Sequence, residues 1–313
     1  MKLAPTAEQE RDFERKHVTK MKKDYMETDV VERYKSDLGY RDKIDMMETF
    51  LKKHSKGGLN LDLGSNTAGE AEVLSHHGYR MLATDINEVA LAVSLARAKK
   101  YREKRPLYVA GDAHNLPFKD ETFDSTTAFE VLHHFENLAP ALNELFRVMK
   151  PGACLFTFEP YAWNPYRRFA ELRFYILGSI EKSFSGRGLK KQLEAAGFEV
   201  DSIRKGIIQP STWRMDKVSP LKRFLMKFYH LVAGACLPVF GNLHVVARKP
   251  GGPSDITPEG VELEEIMQCP ITKSSIKVEG ESYVSTGGNP VYEYTEHEGV
   301  AVVIEQDAKM RTN

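Results

Sequence analysis

The run Leu59-Asn60-Leu61-Asp62-Leu63-Gly64-Ser65-Asn66-Thr67-Ala68-Gly69-Glu70-Ala71 is an apolar strand that ends at an acid, turns on a glycine and opens a helix. A turn of this kind presents backbone N–H groups at the carboxyl edge of a parallel sheet, where open α/β folds bind ligands. Gly64 lets a small ligand come close because no Cβ stands in the way. From this run onward, short apolar stretches alternate with helical ones, which predicts βα units and an α/β fold with helices on both faces of a mostly parallel sheet. Strands are expected at Leu59–Leu63, Arg80–Thr84, Leu107–Ala110, Phe123–Phe129, Cys154–Glu159, Phe198–Arg204 and Leu243–Ala247. Helices are expected at Gly69–His77, Asn87–Lys104, Ala139–Met149 and Gly188–Ala196. Residues 1–55 carry mixed charge with thinly spaced apolar residues, and read as an arm of one or two helices, either solvated or lying as a lid over a site.

The ends of the next strands carry chemistry. Strand two closes at Asp85, twenty-one residues after Gly64, followed by Ile86. A carboxylate there can accept hydrogen bonds from both hydroxyls of a ribose. Strand three leads into Gly111-Asp112-Ala113-His114-Asn115-Leu116-Pro117-Phe118, where Asp112 would lie beside a base and accept from an exocyclic amine. Strand four ends in Glu130-Val131-Leu132-His133-His134.

Together with Phe123-Asp124 and Arg147-Val148-Met149-Lys150-Pro151-Gly152-Ala153, these segments resemble, in order and spacing, the class I S-adenosylmethionine-dependent methyltransferases over roughly residues 55 to 250. The resemblance implies a Rossmann-like sheet of seven strands, the last antiparallel, and S-adenosylmethionine as cofactor with S-adenosylhomocysteine as product. It also implies roles for individual residues. Asp62, Gly64, Ser65 and Asn66 look like the methionine-contacting segment, Asp85 and Ile86 like the ribose end, Asp112 and Ala113 like the adenine clamp, and Glu130 like the residue below the sulfonium. The family usually has glycines where this chain has Asn66 and Ala68. Asn66 can take the left-handed conformation a glycine would supply, and Ala68 can do so only at a cost.

Methyl transfer from a sulfonium is an in-line displacement, so the protein mainly aligns the acceptor and in some cases removes its proton. His133 and His134 follow strand four at the mouth of the expected site, as candidate general bases or as residues that only shape the pocket. After strand five, Glu159, Tyr161, Trp163, Tyr166 and Arg167 form a cluster suited to the wall of an organic-substrate pocket. A small organic acceptor methylated at oxygen or nitrogen is therefore expected, lipid-like or natural-product-like. A cofactor-binding scaffold without chemistry is the alternative that the altered glycine turn keeps open, with a tRNA or protein methyltransferase behind it.

Composition bounds these readings. The 313 residues balance 44 Lys/Arg against 44 Asp/Glu, so no bulk positive field draws the chain to nucleic acid, and the sequence has no dense basic run of the kind that binding requires. Charge is regional: residues 160–230 hold fourteen Lys/Arg and six Asp/Glu, net +8, and residues 251–313 four and twelve, net −8. Docking of one region on the other is one reading of this asymmetry. Cys154, Cys236 and Cys269 form no CxxC pair and the start is charged, which reads as cytoplasmic. The longest apolar run, Phe228 to Phe240, is broken by Gly234 and Pro238, so no transmembrane segment is expected. Lys222 to Val232 mixes basic and apolar residues at helical spacing. It is expected as a buried crossover helix, with peripheral contact to anionic lipid as the other reading.

A linker at Arg248-Lys249-Pro250-Gly251-Gly252-Pro253 divides a central domain, 56–250, from a small acidic β-rich module, 251–313. The module's layout resembles the zinc-ribbon-like activator domain of some tRNA and protein methyltransferases. Thr272 stands where a second sulfur should follow Cys269, so no metal is expected. A stabilising or homodimer contact is the role expected of it.

Overall fold

The structure is a computed structural model that describes residues 7–164, 167, 171, 182–208, 211–212, 219–235, 241–252 and 254–311. Three helices come first: α1 (Ala7–Glu27), α2 (Val30–Ser36) and α3 (Leu38–His54). The central unit then runs β1 (Leu59–Leu63), α4 (Gly69–His76), β2 (Arg80–Asp85), α5 (Glu88–Tyr101), β3 (Leu107–Ala110), β4 (Phe123–Phe129), α6 (Leu138–Val148), β5 (Met149–Glu159), α7 (Gly186–Ala195), β6 (Glu199–Gly206), α8 (Pro220–Ala235) and β7 (Asn242–Arg248). The C-terminal module adds α9 (Leu263–Ile266), β8 (Ile276–Glu279), β9 (Ser282–Ser285), β10 (Val291–His297), β11 (Val300–Val302) and β12 (Lys309–Arg311).

The strand order is β6-β7-β5-β4-β1-β2-β3. Strand β1 is parallel to β2 and β4, β4 to β5 and β2 to β3, while β7 runs antiparallel to β5 and β6. This is the seven-stranded, mostly parallel sheet with an antiparallel last strand that the resemblance implied. Strand order reverses between β1 and β4, which opens a crevice above their carboxyl ends. Strand β1 is buried at every position, as a strand covered on both faces must be. Helix α6 shows the covering logic: Leu138, Ala141, Leu142, Leu145 and Val148 recur at helical spacing and are buried together against the sheet. Each fully buried leucine contributes about 1.5–3 kcal/mol.

Among the described residues the acidic module packs at the opposite end of the sheet from β6, and no contact with the basic 160–230 region is seen there. Strand β11 pairs in parallel with β3, Ala301 opposite Val109 and Val302 opposite Ala110, so the sheet continues outward at the end farthest from β6. An exposed strand edge is a row of unpaired backbone groups, and β11 covers that of β3. Apolar side chains strengthen the choice: Met267, Cys269, Tyr294 and Val303 are buried in one core with Val109, Leu116 and Phe118.

The expectation of a buried crossover helix is corrected. Helix α8 is not buried: Leu221, Phe224, Leu225, Phe228 and Leu231 are between 54% and 71% exposed. An apolar stripe at helical spacing marks a face that prefers to leave water without specifying what covers it.

Candidate functional site

A cavity of about 700 Å³ opens above the carboxyl ends of β1, β2, β3 and β4. Asp62, Gly64, Ser65, Asn66, Asp85, Ile86, Asp112, Ala113 and Glu130 all line it. The sheet brings these residues together from four strand ends that are far apart in sequence.

The turn after β1 works differently from the simple expectation of free N–H groups. Gly64 N and Ser65 N both donate to the Thr84 carbonyl, at 2.9 and 3.1 Å, and Asn66 N donates to Asp85 Oδ2 at 2.8 Å. The first N–H groups of the turn are thus already paired, and the Ser65 and Thr67 carbonyls accept from Ala68 N and from Arg97. Gly64 has φ +67°, and a Cβ there would sit 2.1 Å from Val131 Cγ2. Asn66 (φ +48°) and Ala68 (φ +43°) hold the left-handed backbone that glycines would supply. For Ala68 this conformation costs about 1–2 kcal/mol, and its fully buried methyl group recovers part of that cost.

The acids are not equivalent. Asp62 accepts from Thr127 Oγ1 at 2.9 Å, and burial together with the nearby Glu70 charge pushes its pKa up to about 7. Asp85 accepts from Asn66 N and, at 2.9 Å, from Asn87 N; burial raises its pKa and those N–H groups limit the rise. Each of its oxygens keeps a lone pair for a ligand. Burial would also raise Asp112, but the His114 ring, with Nδ1 2.9 Å from Asp112 Oδ1, and the His114 backbone N–H reverse the sign and hold it low. His114 is pushed up by the same bond, and its Nε2 lies 3.2 Å from the Asn137 carbonyl, so the protonated ring satisfies an acceptor at each nitrogen.

The adjacent histidines separate. His134 lines the cavity and His133 does not. His133 is buried with Nδ1 2.8 Å from Glu159 Oε2. Glu159, also fully buried, accepts from Thr157 Oγ1 and from the Leu132 backbone N–H, and burial lifts it to about 7. Glu159 is therefore a support for the turn after β4, below the cavity rather than in its wall. Tyr161, under the Lys205 ammonium at 3.7 Å from the ring centroid, Trp163, 73% exposed, and Arg167 also lie outside the cavity lining. Tyr166 lies outside the described residues.

Motif reading does not reach the wall supplied by the first three helices. Tyr25 from α1, Arg33 from α2, and Lys43 and Met47 from α3 line the cavity beside Phe129 and Phe135. Lys43 Nζ lies 2.9 Å from Glu70 and 4.5 Å from the Phe129 ring centroid. Burial alone would lower this lysine, but Glu70 and Glu130 hold it charged and raise its pKa.

Residues 61–157 match the protein family described as methyltransferase domain. The match runs from β1 to β5, and the strand order together with the acids above agrees with the resemblance to class I S-adenosylmethionine-dependent methyltransferases. The chain is 30% identical over 156 residues to a sterol 24-C-methyltransferase of Saccharomyces cerevisiae, covering 46% of this chain and 40% of that protein. It is 31% identical over 156 residues to a demethylmenaquinone methyltransferase of Streptomyces griseus, covering 48% of this chain and 63% of that one. The chain thus spans less than two thirds of the length of either relative. Among solved structures, the cyclase SpnF superposes with a TM-score of 0.54 at 17% identity, covering 80% of this chain and 98% of that one. A cyclase on this fold is a reminder that chemistry resides in the site and not in the architecture.

Proposed function

We propose that the chain transfers the methyl group of S-adenosylmethionine to a small, largely apolar organic acceptor. One observation carries the reading: Asp62, Asp85, Asp112 and Glu130, from four strand ends, line one cavity at the point where strand order reverses. The cofactor supplies the electrophile, and the protein's part is alignment. Asp85, with an acceptor on each oxygen, would hold the ribose hydroxyls, Asp112 the adenine amine and Asp62 the methionine ammonium. Tyr25, Met47, Phe129 and Phe135 give the cavity an apolar wall for the acceptor. Sterol and quinone, the acceptors in the relatives' names, are mainly apolar molecules. Of the two histidines, His134 is the one positioned to receive an acceptor proton, and His133 positions the turn through Glu159. The scaffold reading loses its main support, because Asn66 and Ala68 keep the backbone of the glycines they replace. With methyl-labelled S-adenosylmethionine and a panel of quinone, sterol and long-chain phenol acceptors, label is expected in the organic phase. Binding of S-adenosylhomocysteine with no transfer to any of them would return the scaffold reading.

The state of Asp62 gives a second test. With its pKa near 7, this acid is largely protonated below neutrality in the free protein. A bound ammonium selects the carboxylate and pulls the pKa down, so binding expels a proton. Affinity for S-adenosylhomocysteine should therefore rise by about tenfold from pH 6 to pH 8 and level off above. Calorimetry across that range checks the rise, and Asp62→Asn should flatten the profile. A flat profile in the unaltered protein would detach Asp62 from the ammonium.

A further inference from the structure

The exposed face of α8 has no role in the cavity chemistry. Leu221, Phe224, Leu225, Phe228 and Leu231 fall within an arc of about 120° at 3.6 residues per turn, and they are 69%, 64%, 54%, 55% and 71% exposed. The Phe224 and Phe228 rings stack with centroids 6.3 Å apart. A contiguous apolar face of this kind, standing in water, marks an interaction surface.

Charge identifies the occupant. Pro220–Ala235 contains Lys222, Arg223 and Lys227 and no Asp or Glu. It lies in the stretch that carries fourteen basic and six acidic residues. On the helix wheel the three basic positions lie outside the arc of the Phe and Leu positions. That is the composition of a helix lying in the plane of an anionic lipid surface, with rings and leucines among the acyl chains and cations at the headgroups. A symmetric pairing of two copies through α8 would set one basic helix against another, a like-charge contact that costs affinity.

The position of the helix fits the same occupant. The chain leaves β6 at Gly206 and enters β7 at Asn242, residues paired with each other at the carboxyl edge of the sheet. The segment that carries α8 therefore leaves and re-enters the sheet at the edge where the cavity opens. Its approach segment is fastened to the cavity wall, since Ser211 Oγ and Thr212 N donate to Asp37 at 2.8 Å each, at the junction of α2 and α3. Arg33 and Lys43 of those two helices line the cavity. Among the described residues no helix is long and apolar enough to cross a membrane, so contact through α8 is with the surface.

We infer that α8 docks the protein on an anionic lipid surface, with the cavity mouth toward the bilayer. The inference stands on the helix and not on methyl transfer, and its readout needs no turnover. Vesicles of equimolar phosphatidylglycerol and phosphatidylcholine should sediment the full chain, and vesicles of phosphatidylcholine alone should sediment at least tenfold less. Raising the salt concentration should weaken the first. Phe224→Ser with Phe228→Ser should lower the partition by tenfold or more, and Lys222→Glu with Lys227→Glu should reduce it by a similar factor through charge alone. Unchanged binding of S-adenosylhomocysteine shows that both variants are folded. The inference is overturned if the unaltered protein stays in the supernatant with the anionic vesicles, or binds both vesicle types equally. It is also overturned if either variant sediments as well as the unaltered protein, or if sedimentation velocity shows a dimer that Phe224→Ser dissolves while vesicles capture nothing.

Discussion

Asp85→Ala should weaken S-adenosylhomocysteine binding by about 30- to 700-fold, which corresponds to about 2–4 kcal/mol. Two losses combine. Charge-assisted hydrogen bonds to two ribose hydroxyls are worth more than neutral ones, and alanine removes both. The same carboxylate also receives Asn66 N at 2.8 Å and Asn87 N at 2.9 Å, so it ties the turn after β1 to the start of α5. Without it, two N–H groups lose their acceptor and Asn66 loses a restraint on its left-handed backbone. Folding should suffer less than binding, because Asp85 is held against the burial that raises its pKa, and removing a buried charge returns part of that desolvation cost. Asp85→Asn separates the two losses. It keeps one acceptor oxygen, but its NH2 group faces one of the two N–H donors, so the turn should remain disturbed while one ribose bond is retained. Calorimetric titration of both variants, with thermal melts as the folding control, reads the result. An unchanged Kd for Asp85→Ala would remove the ribose assignment and with it the basis of the nucleoside site.

Much of this site is legible in the sequence because strand ends in a parallel sheet are fixed by pattern. The strands over Leu59–Leu63, Leu107–Ala110 and Phe123–Phe129 fall where the apolar runs place them, and their terminal acids then share one edge. Strand β5 begins at Met149, ahead of the expected Cys154, because Pro151-Gly152 reads as a turn, and Gly152, at φ +77°, is instead absorbed as an irregularity between β4 and β5. The histidine pair shows a different limit. Adjacency in sequence does not say which ring faces a ligand, and here the answer depends on Glu159, which takes His133 Nδ1 from twenty-six residues away. Tyr25, Lys43 and Met47 carry no motif at all. They reach the cavity because α1 packs on α5 and α3 packs on β4 and β5, and that placement rests on contacts such as Arg11 with Glu88 at 3.1 Å and Lys43 with Glu70, which only the folded chain brings together. The apolar spacing of α8 was visible, and what it faces was not, since a core and a lipid surface ask for the same stripe.

Arg97→Met should cost about 3–5 kcal/mol of stability, the largest single loss expected in this molecule. Arg97 and Glu72 are 2% and 0% exposed, with Arg97 Nε 3.0 and 3.2 Å from the two carboxylate oxygens and Ser94 Oγ donating to the same carboxylate at 2.6 Å. Methionine fills much of the arginine volume, so the cost arises from a carboxylate left in a dry interior with one hydroxyl for company. Burial already raises Glu72, and Arg97 holds the rise back. Without the guanidinium, the acid takes up a proton in the folded state at a pH where the unfolded chain has released it. A carboxyl group with a raised folded pKa gives up stability as pH rises from its unfolded value through its folded one, so the deficit should be smaller at pH 5 than at pH 8. Glu72→Gln in the same chain removes the charge, and the double variant should regain most of the loss at pH 8. The pair also reaches the site. Arg97 donates to the Thr67 carbonyl in the turn after β1 and, at 3.4 Å, to the Tyr25 carbonyl at the cavity wall. Weaker S-adenosylhomocysteine binding should therefore accompany the lost stability in both variants, because the glutamine restores charge balance and not those two hydrogen bonds. Urea denaturation at the two pH values, with a titration beside it, separates these effects. A double variant as unstable as the single one would place the cost in packing and not in the unpaired carboxylate.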